Sequence, residues 1–399
     1  QQARYKNNVI SYKAVVSTYD NRNYLQVETD SQAILGAVPG VKGDFINICK
    51  LNKDFLRSAS SGRICYLIDL RKFSKADFPN LHKSYDWVSF SPDGLTMVYQ
   101  SNSDSIFYSI MLKSGRVTSL IDDPAFVYKS DISLGAEAVN YADFSTWLED
   151  GSMLANDLYD IWRIFPDKKR PAVNLTTSGS SGLKFRLIKE TIDGEYLKLS
   201  DIFLIAAFNM RSKENGLYRC KLSANGLFKT GGVGPYVIYK TNDQAGTQSG
   251  HTLIEPFVPQ RSAASDTWIY LRQSTRQAPN IFLSVDFNKQ VQCSNFCPEK
   301  AVNWINSFVV NYTTPFGRAG QAVVYTPENI DSTKKYPTIF NYYEKITHRA
   351  YEYPYPSLVE DNINIPWLVS NGYIVCTPDI MSGVSVKTDT VRGEYALDY

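Results

Sequence analysis

The sequence has few histidines, almost no imbalance of charge and no long apolar run. Its 399 residues carry 42 basic and 40 acidic side chains, which leaves a net charge of +2 at neutral pH. So balanced a chain lacks the basic field that attracts polyanions, and a nucleic-acid partner is not expected. No apolar stretch approaches the roughly 18 residues that a membrane-spanning helix needs, and the longest, residues 202–208, has the length of a strand.

Metal and nucleotide sites are not expected either. The three histidines, His82, His251 and His348, show no His-x-x-x-His spacing, and the cysteines form no Cys-x-x-Cys pair. The glycine-rich stretch 231–235 is followed by neither Lys-Ser nor Lys-Thr, so a turn between strands explains it better than a phosphate loop. We therefore expect no cofactor.

Cysteine usage leaves two alternatives open. Cys293 and Cys297 are close enough for a local disulfide if the loop geometry permits it, and free buried thiols are the other alternative. Glycosylation triplets begin at Asn174 and Asn311, and the chain starts at Gln1 rather than at methionine, as it would after removal of a signal peptide. These signs favour an extracytoplasmic location, which includes the periplasm, association with the outer membrane, and secretion.

Alternating strands and tight turns fill most of the chain. Residues 87–99 read WVSFSPDGLTMVY, in which two alternating runs flank a Ser-Pro-Asp-Gly turn. Proline presets φ, aspartate bonds its own backbone and glycine accepts positive φ, so this segment predicts a hairpin. Weaker copies of this turn occur at Asp150 and Asp193. Asp150 follows Asp93 by 57 residues, and Asp193 follows Asp150 by 43 residues.

This spacing is typical of a β-propeller. Propeller blades repeat at about 40–50 residues, so residues 1–310 predict about seven or eight blades, with an insertion in the longer interval. Little helix is expected before residue 311 except a weak signal at 298–304. Further strands are predicted at residues 45–49, 64–70, 216–222, 236–240, 268–272 and 280–285.

The segment from 321 to 380 has a different pattern. Apolar runs at 322–325, 338–343 and 373–376 predict strands of a largely buried sheet. Between the last two, Pro366 suits the first turn of a helix and Gly372 suits its C-terminal end. The sequence therefore predicts an α/β unit within residues 311–399.

Three strings in this unit resemble a known family. They are YTPEN from Tyr325, KYPTIFNYYEK from Lys335 and NIPWLVSNGYIVCTPDI from Asn364. They are similar to the opening strands and first helix of the hydrolase domain in the prolyl oligopeptidase family, especially its dipeptidyl-peptidase and acylaminoacyl-peptidase branches. The resemblance implies a mainly β chain, with a propeller over residues 1–310 and an incomplete α/β-hydrolase domain over residues 311–399.

The resemblance also implies a serine peptidase that acts on short peptides by acyl transfer. Family members place the nucleophile in Gly-x-Ser-x-Gly, followed by aspartate and histidine. That motif is absent here, because the nearest strings, at 179–183 and 383–387, lack the final glycine. Ser385 in the second string has no base beside it. We therefore expect the chain as given to be inactive.

One functional residue is implied by the resemblance. Tyr343 matches the family's tyrosine whose hydroxyl stabilises the oxyanion of the reaction. The alternative is that Tyr343 is simply one aromatic residue at a strand end. His348 lies in a polar, aromatic loop and is expected to be a surface residue.

An unfinished sheet is expected to leave apolar surface near Phe340 and Val375 uncovered. We expect a short peptide as substrate and a homodimer or larger protein assembly covering that sheet. The alternative function is that of a non-catalytic propeller subunit of a larger cell-envelope assembly.

Overall fold

The computed structural model is mainly β. It describes residues 13–16, 24–27, 32–39, 44–52, 63–104, 106–126, 143–178, 181–189, 196–223, 226–238, 258–315, 317, 319–341, 346–356 and 363–379. In these ranges no helix is long and apolar enough to cross a membrane.

In the described residues a two-stranded sheet is followed by five four-stranded sheets, each built from strands that are consecutive in sequence. The first sheet pairs β1 (Ala14–Val16) with β2 (Tyr24–Gln26). The four-stranded sheets comprise β3 (Gln32–Pro39), β4 (Phe45–Asn52), β5 (Arg63–Asp69) and β6 (Ser74–Lys75); β7 (Tyr85–Phe90), β8 (Thr96–Ser101), β9 (Phe107–Met111) and β10 (Arg116–Ser119); β11 (Asp143–Trp147), β12 (Met153–Asn156), β13 (Ile161–Ile164) and β14 (Val173–Asn174); β15 (Leu183–Leu187), β16 (Ile202–Asn209), β17 (Asn215–Ser223) and β18 (Gly226–Gly234); and β19 (Gln260–Arg261), β20 (Trp268–Ser274), β21 (Gln277–Ser284) and β22 (Val291–Gln292).

The predicted Ser-Pro-Asp-Gly hairpin is confirmed between β7 and β8. The Asp93 carboxylate accepts hydrogen bonds from the Ser91 hydroxyl at 2.6 Å and from the Leu95 N–H at 2.9 Å. Gly94 has φ of 69°, a conformation that glycine adopts without steric cost. The turn is therefore closed by its own side chains, and the antiparallel register of the two strands follows from it.

Two pairs of successive sheets share apolar cores, each pair within one compact unit. In one cluster, Leu67 of β5 packs with Tyr85 of β7 and Tyr99 of β8. In another, Leu204 of β16 packs with Trp268 and Tyr270 of β20. Four-stranded sheets that pack face to face in sequence order are typical of a propeller, so this region is propeller-like. The number of blades stays a prediction.

A further four-stranded sheet is mixed and follows the propeller-like region in sequence. It contains β23 (Ile305–Thr313), β24 (Ala319–Pro327), β25 (Thr338–Phe340) and β26 (Ile374–Pro378), in the order β23-β24-β26-β25. The pair β25 and β26 is parallel, and the others are antiparallel. The strands predicted at 322–325 and 373–376 and the predicted helix are confirmed. The strand predicted at 338–343 is present over residues 338–340, and residues 342 and 343 lie outside the described ranges. The strand β23 was not predicted.

The helix α1 (Ile365–Ser370) connects the parallel pair. Asn364 caps it, because its side-chain oxygen accepts the Trp367 N–H at 3.1 Å. Pro366 lies in the first turn, and Gly372, with φ of 82°, follows the last turn. The helix therefore begins and ends where local residue preferences allow.

Two of the predicted elements differ in part from the structure. Within the described part of residues 236–240, Val237 forms an isolated bridge with Gln273 instead of a strand. The helix signal at 298–304 corresponds to a short 3-10 turn, Pro298–Ala301. Apolar content alone suggested the strand, whereas pairing along its length decides whether one forms.

The structure corrects the assignment of the cysteines. Cys49 of β4 and Cys65 of β5 form a disulfide, and they lie directly opposite each other in the register of the two strands. Cys293 is exposed, Cys297 is half-buried, and neither is disulfide-bonded. Of the two alternatives left open by the sequence, the local disulfide between Cys293 and Cys297 is not formed, and strand pairing joins a different pair of cysteines.

Two compact units divide the chain. One contains Gln1–Pro124, Trp147–Met153 and Arg163–Ala172, and the other contains Ala125–Thr146, Leu154–Trp162 and Val173–Tyr399. The mixed sheet lies in the second unit. The division into domains at residues 310 and 311 stays a prediction.

Candidate functional site

The candidate site lies at the carboxyl ends of β25 and β26. In sheets with parallel strands, ligands bind outside the carboxyl ends, where the connecting loops begin. The Asn341 N–H, directly after β25, donates to the Cys376 carbonyl at 2.9 Å and so extends the parallel pairing by one residue. The chain leaves the sheet at a fixed point immediately before residues 342–345.

The same segment is anchored again at its other end. The Asp379 carboxylate, directly after β26, accepts the N–H groups of Ile346 and Thr347 at 2.7 and 2.8 Å and the Thr347 hydroxyl at 2.5 Å. Asp379 and Thr347 are 7% and 1% exposed. Three donors converging on one buried carboxylate make a strong anchor.

Tyr343 lies between these two anchors, outside the described residues. The structure therefore describes where the chain on either side of Tyr343 is held and does not test the role of its hydroxyl. Asp379 was not singled out from the sequence. A polar residue directly after the apolar run of β26 was the available signal for it.

The histidines do not gather at this edge. His348 is half-buried in the 3-10 turn Thr347–Arg349. The Nδ1 atom of His82 lies 2.9 Å from the Tyr99 hydroxyl oxygen in the first compact unit, where its ring also packs against Tyr108. His251 and Ser385 lie outside the described residues. In the described ranges no group of three or more metal-ligating side chains comes together.

The glycine-rich stretch is a strand end rather than the predicted turn. Gly231 and Gly232 belong to β18. A Cβ atom at Gly231 would collide with the Leu217 carbonyl oxygen, and one at Gly216 would collide with the carbonyl oxygen of Gly232. Glycine is therefore needed for the close approach of β17 and β18.

The two faces of the mixed sheet are unlike each other. Val323, Tyr325 and Val375 are at most 5% exposed and pack with Val369 of α1. The expectation that Val375 would be uncovered is wrong, because α1 lies over this face.

The other face carries a row of apolar residues that we call the open row. It consists of Phe308, Val324, Cys376 and Phe340, which are paired across all four strands. Phe308 is 52% exposed and Phe340 is 62% exposed, so the expected exposure near Phe340 is confirmed. Apolar side chains on adjacent strands that remain in solvent commonly mark a contact surface.

Comparison with known proteins identifies the fold through solved structures. No protein-family model and no curated protein matches the sequence. A Bacteroides ovatus protein named dipeptidyl aminopeptidase IV matches over 90% of this chain and 55% of its own, with a TM-score of 0.52 and 11% identity. Porphyromonas gingivalis dipeptidyl peptidase 4 matches over 90% of this chain and 53% of its own, with a TM-score of 0.51 and 12% identity. The chain spans about half the length of these two structures, and at such identity the likeness shows the fold alone.

Proposed function

We propose that this chain, which has a prolyl oligopeptidase-family fold, carries the propeller and the opening part of the α/β-hydrolase domain of a serine peptidase. The observation that carries the proposal is the likeness, over 90% of the chain, to two solved structures that are named as dipeptidyl peptidases. The mixed sheet supports it, because its parallel pair and crossover helix are what the first strands of an α/β-hydrolase sheet require.

The proposed reaction is acyl transfer to a serine, followed by hydrolysis of the acyl-enzyme. The 399 residues contain no Gly-x-Ser-x-Gly, so the proposal takes the nucleophile, acid and base from additional polypeptide. This chain by itself is expected not to hydrolyse peptides. Its propeller would restrict access to short substrates.

In this proposal Tyr343 donates its hydroxyl to the oxyanion that forms during acyl transfer. A phenol can do so when its backbone is fixed, since a preorganised donor costs no reorganisation during the reaction. The anchors at Asn341 and Asp379 support this role, because they hold the chain before and after Tyr343 at the carboxyl edge.

We further propose that the open row is covered in the assembled protein. Parallel strands usually have both faces covered, and here α1 covers one face. Additional hydrolase helices would cover the row in a peptidase, and a homodimer or a larger assembly would cover it otherwise.

An extracytoplasmic location is proposed on the Cys49–Cys65 disulfide. Such bonds persist in oxidising compartments and are rare in the cytosol.

A non-catalytic propeller subunit of a larger cell-envelope assembly is the second candidate. It is favoured by the lack of Gly-x-Ser-x-Gly together with the exposure of Phe308 and Phe340. In that case the open row would bind a partner protein instead of hydrolase helices.

Labelling with a fluorophosphonate probe separates the two candidates. The natural protein would be purified, its intact mass measured, and the folded protein exposed to the probe. A mass well above 45.1 kDa with covalent labelling of one serine supports the peptidase. A folded protein of about that mass that stays unlabelled supports the non-catalytic subunit.

A further inference from the structure

A cavity of about 430 Å³ lies in the second compact unit, and none of its lining residues belongs to the two anchors beside Tyr343 or to the open row. Its walls are formed by Gly232 of β18, Arg272 of β20 and the turn that follows β21. Tyr236 and Phe287 line the same walls, and the Phe287 side chain is itself buried. A volume of this size accommodates a small organic ligand.

Arg272 is held in this cavity by aromatic rings and amides. Its guanidinium carbon lies 3.9 Å from the ring centroid of Phe282 and 5.1 Å from that of Tyr236. One terminal nitrogen donates to the Gln290 side-chain oxygen at 3.0 Å, and the other to the Gln277 side-chain oxygen at 3.4 Å. The guanidinium is therefore fixed in orientation, because amides and ring faces hold it on several sides.

The charge of Arg272 has no carboxylate beside it. Among the described residues no aspartate or glutamate lies within ion-pair distance, and the Nε atom is buried without a hydrogen-bond partner. Asp286, in the neighbouring turn, instead accepts the N–H groups of Asn288 and Lys289. Burial lowers the pKa of Arg272. A half-buried cation is costly when no anion compensates it, and an arginine fork matches a carboxylate in geometry.

A second donor lines the cavity. The Tyr236 hydroxyl accepts a hydrogen bond from the Gln290 side-chain nitrogen at 3.1 Å, which leaves its own proton without an acceptor in the described part of the chain. The same Gln290 nitrogen also donates to the Phe287 carbonyl at 3.1 Å. Gln290 thus orients both Arg272 and Tyr236, and the cavity presents donors that lack acceptors.

We propose that this cavity binds a small organic carboxylate, with Arg272 and Tyr236 binding the carboxylate group and the ring of Tyr236 packing against its apolar body. The free carboxylate of a short peptide has this chemistry, as does a small aromatic acid. The Gly232 side of the cavity has room for the body, because a Cβ atom added at Gly232 would meet no atom within 4 Å.

Calorimetric titration of the full chain tests the proposal. The probes are hydrocinnamate, its neutral amide and inorganic phosphate. We expect hydrocinnamate to bind at least about tenfold more tightly than the amide, as the loss of a charge-assisted hydrogen bond predicts. Phosphate is expected to bind more weakly than hydrocinnamate because it has no apolar body.

Two variants test the residues separately. Arg272→Gln should weaken hydrocinnamate binding at least about tenfold, because it removes the cation. Gly232→Leu should weaken it to a similar extent by filling the cavity while Arg272 stays in place. Arg276→Gln is the matched control, because Arg276 is exposed and paired with Glu328. The affinity of this variant for hydrocinnamate should equal that of the unchanged protein.

The proposal would be overturned if hydrocinnamate did not bind, or if its amide or phosphate bound as tightly as hydrocinnamate does. An unchanged affinity of Arg272→Gln for hydrocinnamate would also overturn it. If Arg272→Gln does not fold by circular dichroism, unchanged affinity in Gly232→Leu overturns it instead. The probes contain no peptide bond, so the result is independent of the proposed peptidase function.

Discussion

The four-stranded antiparallel sheets and the mixed sheet bury their apolar residues differently. In β16 the consecutive residues Phe203, Leu204 and Ile205 are at most 1% exposed, so this strand is covered on both faces. In the mixed sheet Val323 is fully buried on one face, while Phe308 is 52% exposed on the other. The strand from the propeller-like region is buried on both faces, whereas the mixed sheet has one buried face and one exposed apolar face.

The largest expected effect concerns catalysis, which we assign to the mixed sheet and not to the propeller-like sheets. In the natural protein with measurable peptidase activity, Tyr343→Phe should lower kcat about 100- to 1000-fold, because it removes one oxyanion donor. Steady-state kinetics with a dipeptidyl substrate measures this effect. The adjacent Tyr342→Phe is the control and should change kcat little, and equal losses in the two variants would refute the role of Tyr343.

Removal of the disulfide shows how much the covalent link contributes to the stability of the first propeller-like sheet. Replacing both Cys49 and Cys65 by alanine should lower the free energy of unfolding by about 3 kcal/mol, because the bond closes a loop with a sequence separation of 16. Urea unfolding measures the loss. Cys293→Ala, at an exposed thiol, should leave the midpoint unchanged. A stability that is the same before and after the double change would contradict the expectation.

A matched pair of valines compares the two faces of the mixed sheet. Val323→Ala removes methyl groups from the face beneath α1 and should cost about 2 kcal/mol of unfolding free energy. Val310→Ala, on a side chain that is 40% exposed, should cost about 0.5 kcal/mol or less. Thermal and urea unfolding of both variants measures the difference. Equal costs would show that something covers the second face in solution.

The smallest effect concerns acid stability in the first compact unit. Burial alone would raise the pKa of Asp150, but hydrogen bonds from Ser152 and Arg170 and the charge of Arg163 outweigh it and lower the pKa. A lowered pKa stabilises the folded state above the unfolded value of about 3.9, and that stability is lost as the pH falls through the folded value.

Asp150→Asn should therefore lose less stability than the unchanged protein between pH 5 and pH 2, about the range in which carboxylates protonate. Urea unfolding at several pH values measures the slope. Asp77→Asn removes an exposed carboxyl in the same unit and serves as the control. If the unfolding free energy of Asp150→Asn falls with decreasing pH as steeply as that of the unchanged protein, Asp150 does not contribute to the loss of stability in acid.

Local features were predictable from the sequence, and partners distant in the chain were not. The turn at Ser91–Gly94 and the ends of α1 depend on neighbouring residues, and both are confirmed. The Cys49–Cys65 bond depends on the register of two strands, which sequence nearness does not reveal. The anchor at Asp379 likewise depends on Thr347, 32 residues upstream.

The sequence by itself determined the mainly β character, the tight turns and the change of pattern before the mixed sheet. These follow from the backbone preferences of contiguous residues. Tertiary structure alone decided which cysteines pair, which sheet face remains open and that Arg272 has no carboxylate neighbour among the described residues. Each of these depends on which distant side chains packing brings together, and short-range preferences carry no information about that.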